Sequence, residues 1–292
     1  MKKFVYGALL SLLWGACTTK ETQATAQAVS PLRVMSFNVR YDNPDDGEHN
    51  WHKRKERVAN AIHFYEPDLL GTQEVLHGQM EDLRSRLTDY ESVGVGREDG
   101  NRQGEYAALW FRKDRFELLS SGHFWLSETP DVSGSKGWDG ACERMASWAR
   151  LKDKQNGNEL LFMNTHLDHV GQAARSEGVK LLMTKAAELG QGIPVVLTGD
   201  FNAEPTSSVI AALTDSGNPH RLVDARTASP LVYGPAWSYH DFETLPYANR
   251  PLIDYIFLSR TWKVTKFGVL AEHENGALLS DHAPVLAVIV PE

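Results

Sequence analysis

Two cysteines in a chain of 292 residues exclude a scaffold built on disulfides. Basic residues are also in short supply. Thirty Lys and Arg stand against 38 Asp and Glu, a formal charge of −8. That balance excludes a protein that coats duplex nucleic acid by neutralising phosphates along its surface. It leaves open an enzyme that meets phosphate at one local site or through a metal ion. No internal repeat, long charge run or Pro/Gly-rich linker divides residues 31–292, so this stretch reads as one domain. No His-Glu-x-x-His spacing or cysteine pairing points to zinc. What is present in quantity is apolar: 42% of residues are hydrophobic and 10% aromatic, enough for a real core.

The N-terminus reads as an address. Lys2 and Lys3 precede a mostly apolar run, Phe4–Trp14, that is too short to span a bilayer with ease. Gly15-Ala16-Cys17 and a polar stretch to Ser30 follow. The pattern resembles a bacterial lipoprotein signal, with residues 1–16 removed, Cys17 lipidated and residues 17–30 left as a flexible tether. The expected location is the cell envelope, with the chain held to the membrane only through its N-terminal lipid. Removal of residues 1–16 leaves a formal charge of −10.

In the body, short β-branched and aromatic runs predict strands at Leu32–Val39, Asp68–Gln73, Ala107–Phe111, Phe116–Phe124, Ser147–Leu151, Leu160–Thr165, Pro194–Thr198, Tyr255–Leu258, Trp262–Val269 and Val285–Val290. Helical spacing predicts Lys53–Tyr65, Gly78–Leu87, Gln172–Leu189 and Thr206–Leu213, the last with Thr206 or Ser207 as cap. Strands often follow one another without a helix, so the fold class is layered α/β sheets and not a βαβ array. Arg97–Glu105 and Glu128–Glu143 read as long functional loops, and Arg226–Arg250 as a third irregular stretch rich in aromatics.

Polar residues fall at the ends of these strands. Asn38, Glu74, Asn164 with His166, and Asp200 with Asn202 close strands, whereas Asp254 and Asp281-His282 open them. Antiparallel pairing brings both kinds to one sheet edge. Residues two apart share a face of an extended chain. Four carboxylates with two amides suit a hard cation, Mg²⁺ or Mn²⁺, and the two histidines can stay protonated or relay protons near neutral pH. Metal, acid, base and amide are the parts of phosphoester hydrolysis.

Six ordered blocks carry a family resemblance. They are Met35-Ser36-Phe37-Asn38-Val39-Arg40, Gly71-Thr72-Gln73-Glu74-Val75, Asn164-Thr165-His166-Leu167-Asp168-His169, Leu197-Thr198-Gly199-Asp200-Phe201-Asn202, Leu252-Ile253-Asp254-Tyr255-Ile256-Phe257 and Leu279-Ser280-Asp281-His282-Ala283-Pro284-Val285. In this order they resemble the signature blocks of the endonuclease/exonuclease/phosphatase superfamily. The resemblance implies a four-layer α/β sandwich, two packed mixed β-sheets flanked by helices, over residues 31–292. It implies that Glu74 is the principal Mg²⁺ ligand with Asn38 and Asp281 close to the metal. Asp200 would orient or deprotonate the attacking water, and Asn202 would hold the phosphate or the water. Asp254 would bond His282 and favour its imidazolium, and His282 and His166 would contact phosphate oxygens. Arg144, His169, Arg175 and His240 are further substrate-binding candidates, Arg144 through its fork of donors. His240 and Trp237 fit the wall of a leaving-group pocket or the core. The implied reaction is metal-assisted attack of water on phosphorus, with a phosphodiesterase first in line. Nuclease activity on a single-stranded nucleic acid or a nucleotide is the first substrate candidate. A sphingomyelinase-like lipid substrate and a phosphorylated glycan are others, and a binding lipoprotein without catalysis is the reading from another class.

Overall fold

The computed structural model describes residues 1–4, 30–274 and 276–292. Cys17 and all but the last residue of the expected tether lie outside the described residues. The strands in chain order are β1 (Leu32–Asn38), β2 (Leu69–Val75), β3 (Tyr90–Val93), β4 (Tyr106–Arg112), β5 (Phe116–Trp125), β6 (Met145–Asp153), β7 (Glu159–His166), β8 (Val195–Asp200), β9 (Val223–Asp224), β10 (Val232–Tyr233), β11 (Asp254–Leu258), β12 (Trp262–Val269), β13 (His273–Glu274), β14 (Ala277–Leu278) and β15 (Val285–Pro291). The helices are α1 (Trp51–Tyr65), α2 (His77–Arg86), α3 (Gln172–Gly190), α4 (Ser208–Thr214) and the single turn α5 (Ala225–Ala228).

Two mixed sheets form, ordered β10-β12-β15-β1-β2-β4-β3 and β5-β6-β7-β8-β11-β9, with β13-β14 as a separate hairpin. The alternation of side chains along β1 shows how they stack. Leu32 and Val34 face the second sheet, and Met35 and Phe37 pack beneath α1 and α2. On the far side Val179, Leu182 and Met183 of α3 and Leu213 of α4 cover the second sheet. The result is the four-layer sandwich that the sequence led us to expect.

All ten predicted strands and four predicted helices form. Helix α1 begins two residues early because the Asn50 side chain accepts from Lys53 N and caps it. Helix α4 begins at Ser208, two residues later than predicted, because Ser207, not Thr206, caps it by accepting from Ile210 N. The pieces that pattern missed, β3, β9, β10, β13, β14 and α5, are two to four residues long. Pairing with neighbours stabilises such fragments, and local periodicity does not mark them.

The two sheets approach closely beneath the site because Gly71 has no side chain. A Cβ there would stand 2.1 Å from Thr198 Oγ1 and 2.5 Å from Asn164 Oδ1. Around it runs a buried polar network. Gln73 Nε2 donates to Asn164 Oδ1 (2.7 Å), Thr198 Oγ1 donates to the same oxygen (3.0 Å), and Asn164 Nδ2 donates to the Thr72 and Ala108 carbonyls (2.9 and 3.0 Å). Every lone pair or proton satisfied here helps to fix the register of one sheet on the other.

Candidate active site

Strand pairing builds the centre of the site. In the second sheet His166 lies beside Asp200, and Asp200 beside Asp254, in one row across β7, β8 and β11. In the first sheet Asn38 ends β1 on the face shared with Ser36, pointed between the sheets. Glu74 reaches the same place by a different route. A bulge between Thr72 and Val75 and a left-handed backbone at Glu74 (φ 61°) turn its carboxylate away from the α2 side and toward Asn38. A non-glycine residue in that conformation costs about 1–2 kcal/mol, a strain of the kind often found at functional sites.

The side chains then interlock. Asn38 Nδ2 donates to Glu74 Oε1 (2.9 Å) and Asp200 Oδ2 (3.0 Å). His282 Nδ1 donates to Asp254 Oδ2 (2.8 Å), and its Nε2 faces Asp200 Oδ2 at 3.7 Å. Asn202 Nδ2 donates to the Leu167 carbonyl (3.0 Å) and to His166 Nε2 (3.1 Å). Asn202 does not share an extended strand with Asp200. It sits in a left-handed turn (φ 46°) whose N–H donates to Asp200 Oδ1.

Burial and charge divide the titrating groups. Burial disfavours a charged His282, but Asp254, helped by Asp200 and Asp281, outweighs it and pushes the ring up to about 10, so it is an imidazolium at neutral pH. His166 goes the other way: burial, with Arg144 and Arg97 nearby, holds it well below its ordinary range. Of the two histidines expected to stay protonated or to relay protons, His282 is therefore the charged one. His166 is a neutral ring that accepts at Nε2 and keeps its proton on Nδ1. Burial, then Asp254, raises Asp200, and burial also raises Asp281. Burial thus disfavours the charged form of both carboxylates, and the neighbouring His282 works against it.

Ligand atoms of Glu74, Asp200 and His282 lie within 4.8 Å of one another. His282, charged and bonded to Asp254, has no lone pair to give a metal, so Glu74 and Asp200 supply the oxygens that fit a hard divalent cation. Two expected metal neighbours fare differently. Asn38 presents its amide nitrogen to the carboxylates and so orients Glu74 and Asp200, while its Oδ1 accepts from Arg40 N (3.0 Å) and keeps a second lone pair. Asp281 accepts from Ser280 Oγ (3.1 Å) and faces Arg40 Nη1 at 3.7 Å, beside the compact group and outside it.

The four softer candidates separate. Arg144 is buried, with Nη2 donating to His169 Nδ1 (3.0 Å), Nε 3.6 Å from Asp168 Oδ2 and Nη1 without a partner among the described residues. Arg175 donates to the Asp168 carbonyl (2.8 Å) and lines an opening beside Asn202. His240 is buried on the other side of His282, where its backbone N–H donates to the Asp281 carbonyl (2.9 Å).

Sequence reasoning missed five contributors. Arg97 pairs twice with Glu105 (2.6 and 2.9 Å), and Glu105 Oε2 lies 3.9 Å from His166 Nδ1. Arg40 holds Asp46 with two bonds (3.0 and 2.9 Å). The fully buried Arg54 donates to the carbonyls of Val39 (2.8 Å) and Leu279 (2.7 Å) and so ties the end of β1 to the loop that carries Asp281 and His282. Tyr239 packs its ring on His282 at 4.8 Å. The detectable signals were the ends of the Arg97–Glu105 loop and an arginine one turn before Val58 on the apolar face of α1.

Comparison with known proteins adds three findings. The model of the Endonuclease/Exonuclease/phosphatase family matches residues 35–282. Two solved Bacteroides structures superpose closely. An endonuclease/exonuclease/phosphatase from Bacteroides vulgatus has a TM-score of 0.87 and 42% identity, over 90% of this chain and 100% of that one. A mannosyl-6-phosphatase from Bacteroides thetaiotaomicron has a TM-score of 0.82 and 36% identity, over 89% and 99%. Mouse nocturnin is 27% identical over 258 residues, 79% of this chain and 57% of its own length. The chain spans about half the length of the nocturnins it matches.

Proposed function

The chain belongs to the endonuclease/exonuclease/phosphatase family, and from that premise we propose that it is a hydrolase of phosphoester bonds that works with a divalent cation, Mg²⁺ or, in its place, Mn²⁺. The observation that carries the reading is the constellation of Glu74, Asp200 and His282, with Asp254 fixing the imidazolium. When bound, the cation supplies Lewis-acid charge at the phosphoryl oxygens and lowers the pKa of bound water. The residues supply the rest. Asp200, whose proton affinity is raised by burial, is suited to receive a proton from the attacking water. The His282 imidazolium and the Asn202 amide offer hydrogen bonds where charge grows on oxygen. Arg144 has its Nη1 to offer a non-bridging oxygen.

For the substrate we favour a phosphorylated sugar or polyol. The similarity to the mannosyl-6-phosphatase supports this, as does the acidic balance of the chain. The second reading is a nucleotide or single-stranded nucleic acid, supported by the similarity to nocturnin. Export with lipidation at Cys17 is part of the proposal. Pro31 precedes β1 and Asn38 ends it, so a tether would join the body at the end of β1 opposite the site. The test is a panel of hexose 6-phosphates, bis-p-nitrophenyl phosphate and single-stranded RNA, each with Mg²⁺ and with chelator. Hydrolysis of a sugar phosphate that stops on chelation is the expected result. Hydrolysis that survives chelation, or none of any substrate with Mg²⁺, overturns the reading.

A further inference from the structure

A cavity of about 270 Å³ lies between the 237–250 segment and the β13–β14 hairpin, with His282 in its wall. It is smaller than the roughly 300–1,000 Å³ of pockets that hold drug-sized ligands, so it has room for one ring.

Its polar groups alternate. Arg250 donates from Nε to the Leu245 carbonyl (3.1 Å), and its Nη1 lies 3.7 Å from Glu243 Oε1. The same Glu243 oxygen is 3.5 Å from His273 Nε2. His240 Nδ1 accepts from Glu243 N (3.2 Å), so a neutral ring carries its proton on Nε2 as a donor. Tyr247 stands at the mouth, 68% exposed, touching only the edge of Trp237 (5.8 Å, 87°) among the aromatic rings.

The charges select the ligand. Glu243 and Glu272 oppose a second anion, and Arg250 is already engaged with Glu243. Arg250 covers one face of the Trp237 ring (4.8 Å) and of the Tyr247 ring (5.7 Å), which leaves the outer face of the exposed Tyr247 to lie against the apolar face of a sugar ring. Hydroxyl groups both donate and accept, which matches an alternating carboxylate, guanidinium and imidazole. We propose that this cavity binds a neutral hydroxylated ring, the sugar or polyol part of the substrate, beside His282. The inference rests on the sugar-phosphate reading and gives it a location.

The test is calorimetric titration of the whole protein, without phosphate present, with methyl α-mannopyranoside, methyl α-glucopyranoside and myo-inositol. The wild type should bind at least one of them saturably. Tyr247→Ala and Glu243→Gln, both at exposed side chains, should each weaken that binding about tenfold or more. Unchanged thermal melting would show that the variants are folded. Absence of saturable binding, or binding that neither variant weakens, overturns the inference. Hydrolysis of p-nitrophenyl phosphate by wild type, measured alongside, keeps the two failures apart. Hydrolysis without ring binding removes this site and leaves the phosphoesterase standing. Ring binding without hydrolysis of any phosphoester does the reverse.

Discussion

Replacing Asp254 with Asn tests how the protein keeps a histidine charged in its interior. Asp254 and His282 are both buried and meet at 2.8 Å. The difference between an ordinary 6.5 and about 10 for His282 corresponds to about 5 kcal/mol in favour of the imidazolium. Asparagine keeps the shape and an acceptor for Nδ1–H but removes the charge. Burial then prevails, and the ring becomes neutral near pH 7. The sign of the stability effect follows from linkage. In the wild type the folded state holds a proton that the unfolded state releases above pH 6.5. The contribution is present in full below that pH and declines by about 1.4 kcal/mol per pH unit until it is lost near pH 10. Asp254→Asn should flatten this decline and cut turnover roughly 10²–10³-fold through loss of the charged donor. Urea denaturation of both proteins at pH 7, 8 and 9 in chelator measures the slopes, and ¹⁵N spectra of the ring report its charge. Equal pH slopes, or a His282 that titrates below pH 7 in the wild type, would refute the reasoning.

Proton release should accompany metal binding. Asp200, raised to about 7, holds a proton that a cation must displace, so Mg²⁺ affinity should climb up to about pH 7 and then level off, as titration calorimetry at several pH values would show. Gly71→Ala places a Cβ 2.1 Å from Thr198 Oγ1 and should cost about 1–3 kcal/mol in urea denaturation, because neither sheet can yield without disturbing the Asn164 network. Arg144→Lys should raise KM about tenfold on any phosphoester the wild type cleaves, since an ammonium does not reproduce the fork; an unchanged KM would remove Arg144 from the substrate site.

The sequence reveals the frame of the site better than its wiring. Asn38, Glu74, His166, Asp200, Asp254 and His282 stand at strand ends, and strand ends are visible as the points where apolar runs stop. Parallel pairing of β1 with β2 and of β7 with β8 sets strand-closing residues side by side, and antiparallel pairing of β11 with β8 brings Asp254, which opens its strand, to the same edge. Glu74 illustrates what pattern could not supply: the alternation of β2 would send it under α2, and only the bulge redirects it. Arg54 was hidden because a buried arginine serving backbone carbonyls looks like any charge on an amphipathic helix. The difference in charge between His166 and His282 depends on which carboxylate lies within bonding distance, a long-range fact.

The central claim is that a cation held at Glu74 acts together with a charged His282 on a phosphoester. Its most direct test is the rate of phosphate release from a hexose 6-phosphate by chelator-stripped protein as Mg²⁺ is added back, for wild type, Glu74→Ala and His282→Ala. The account predicts saturable recovery in the wild type, a Mg²⁺ requirement at least about tenfold higher in Glu74→Ala, and a rate reduced roughly 10²-fold or more at saturating Mg²⁺ in His282→Ala. Full activity before Mg²⁺ is added, or two variants indistinguishable from wild type, would contradict it.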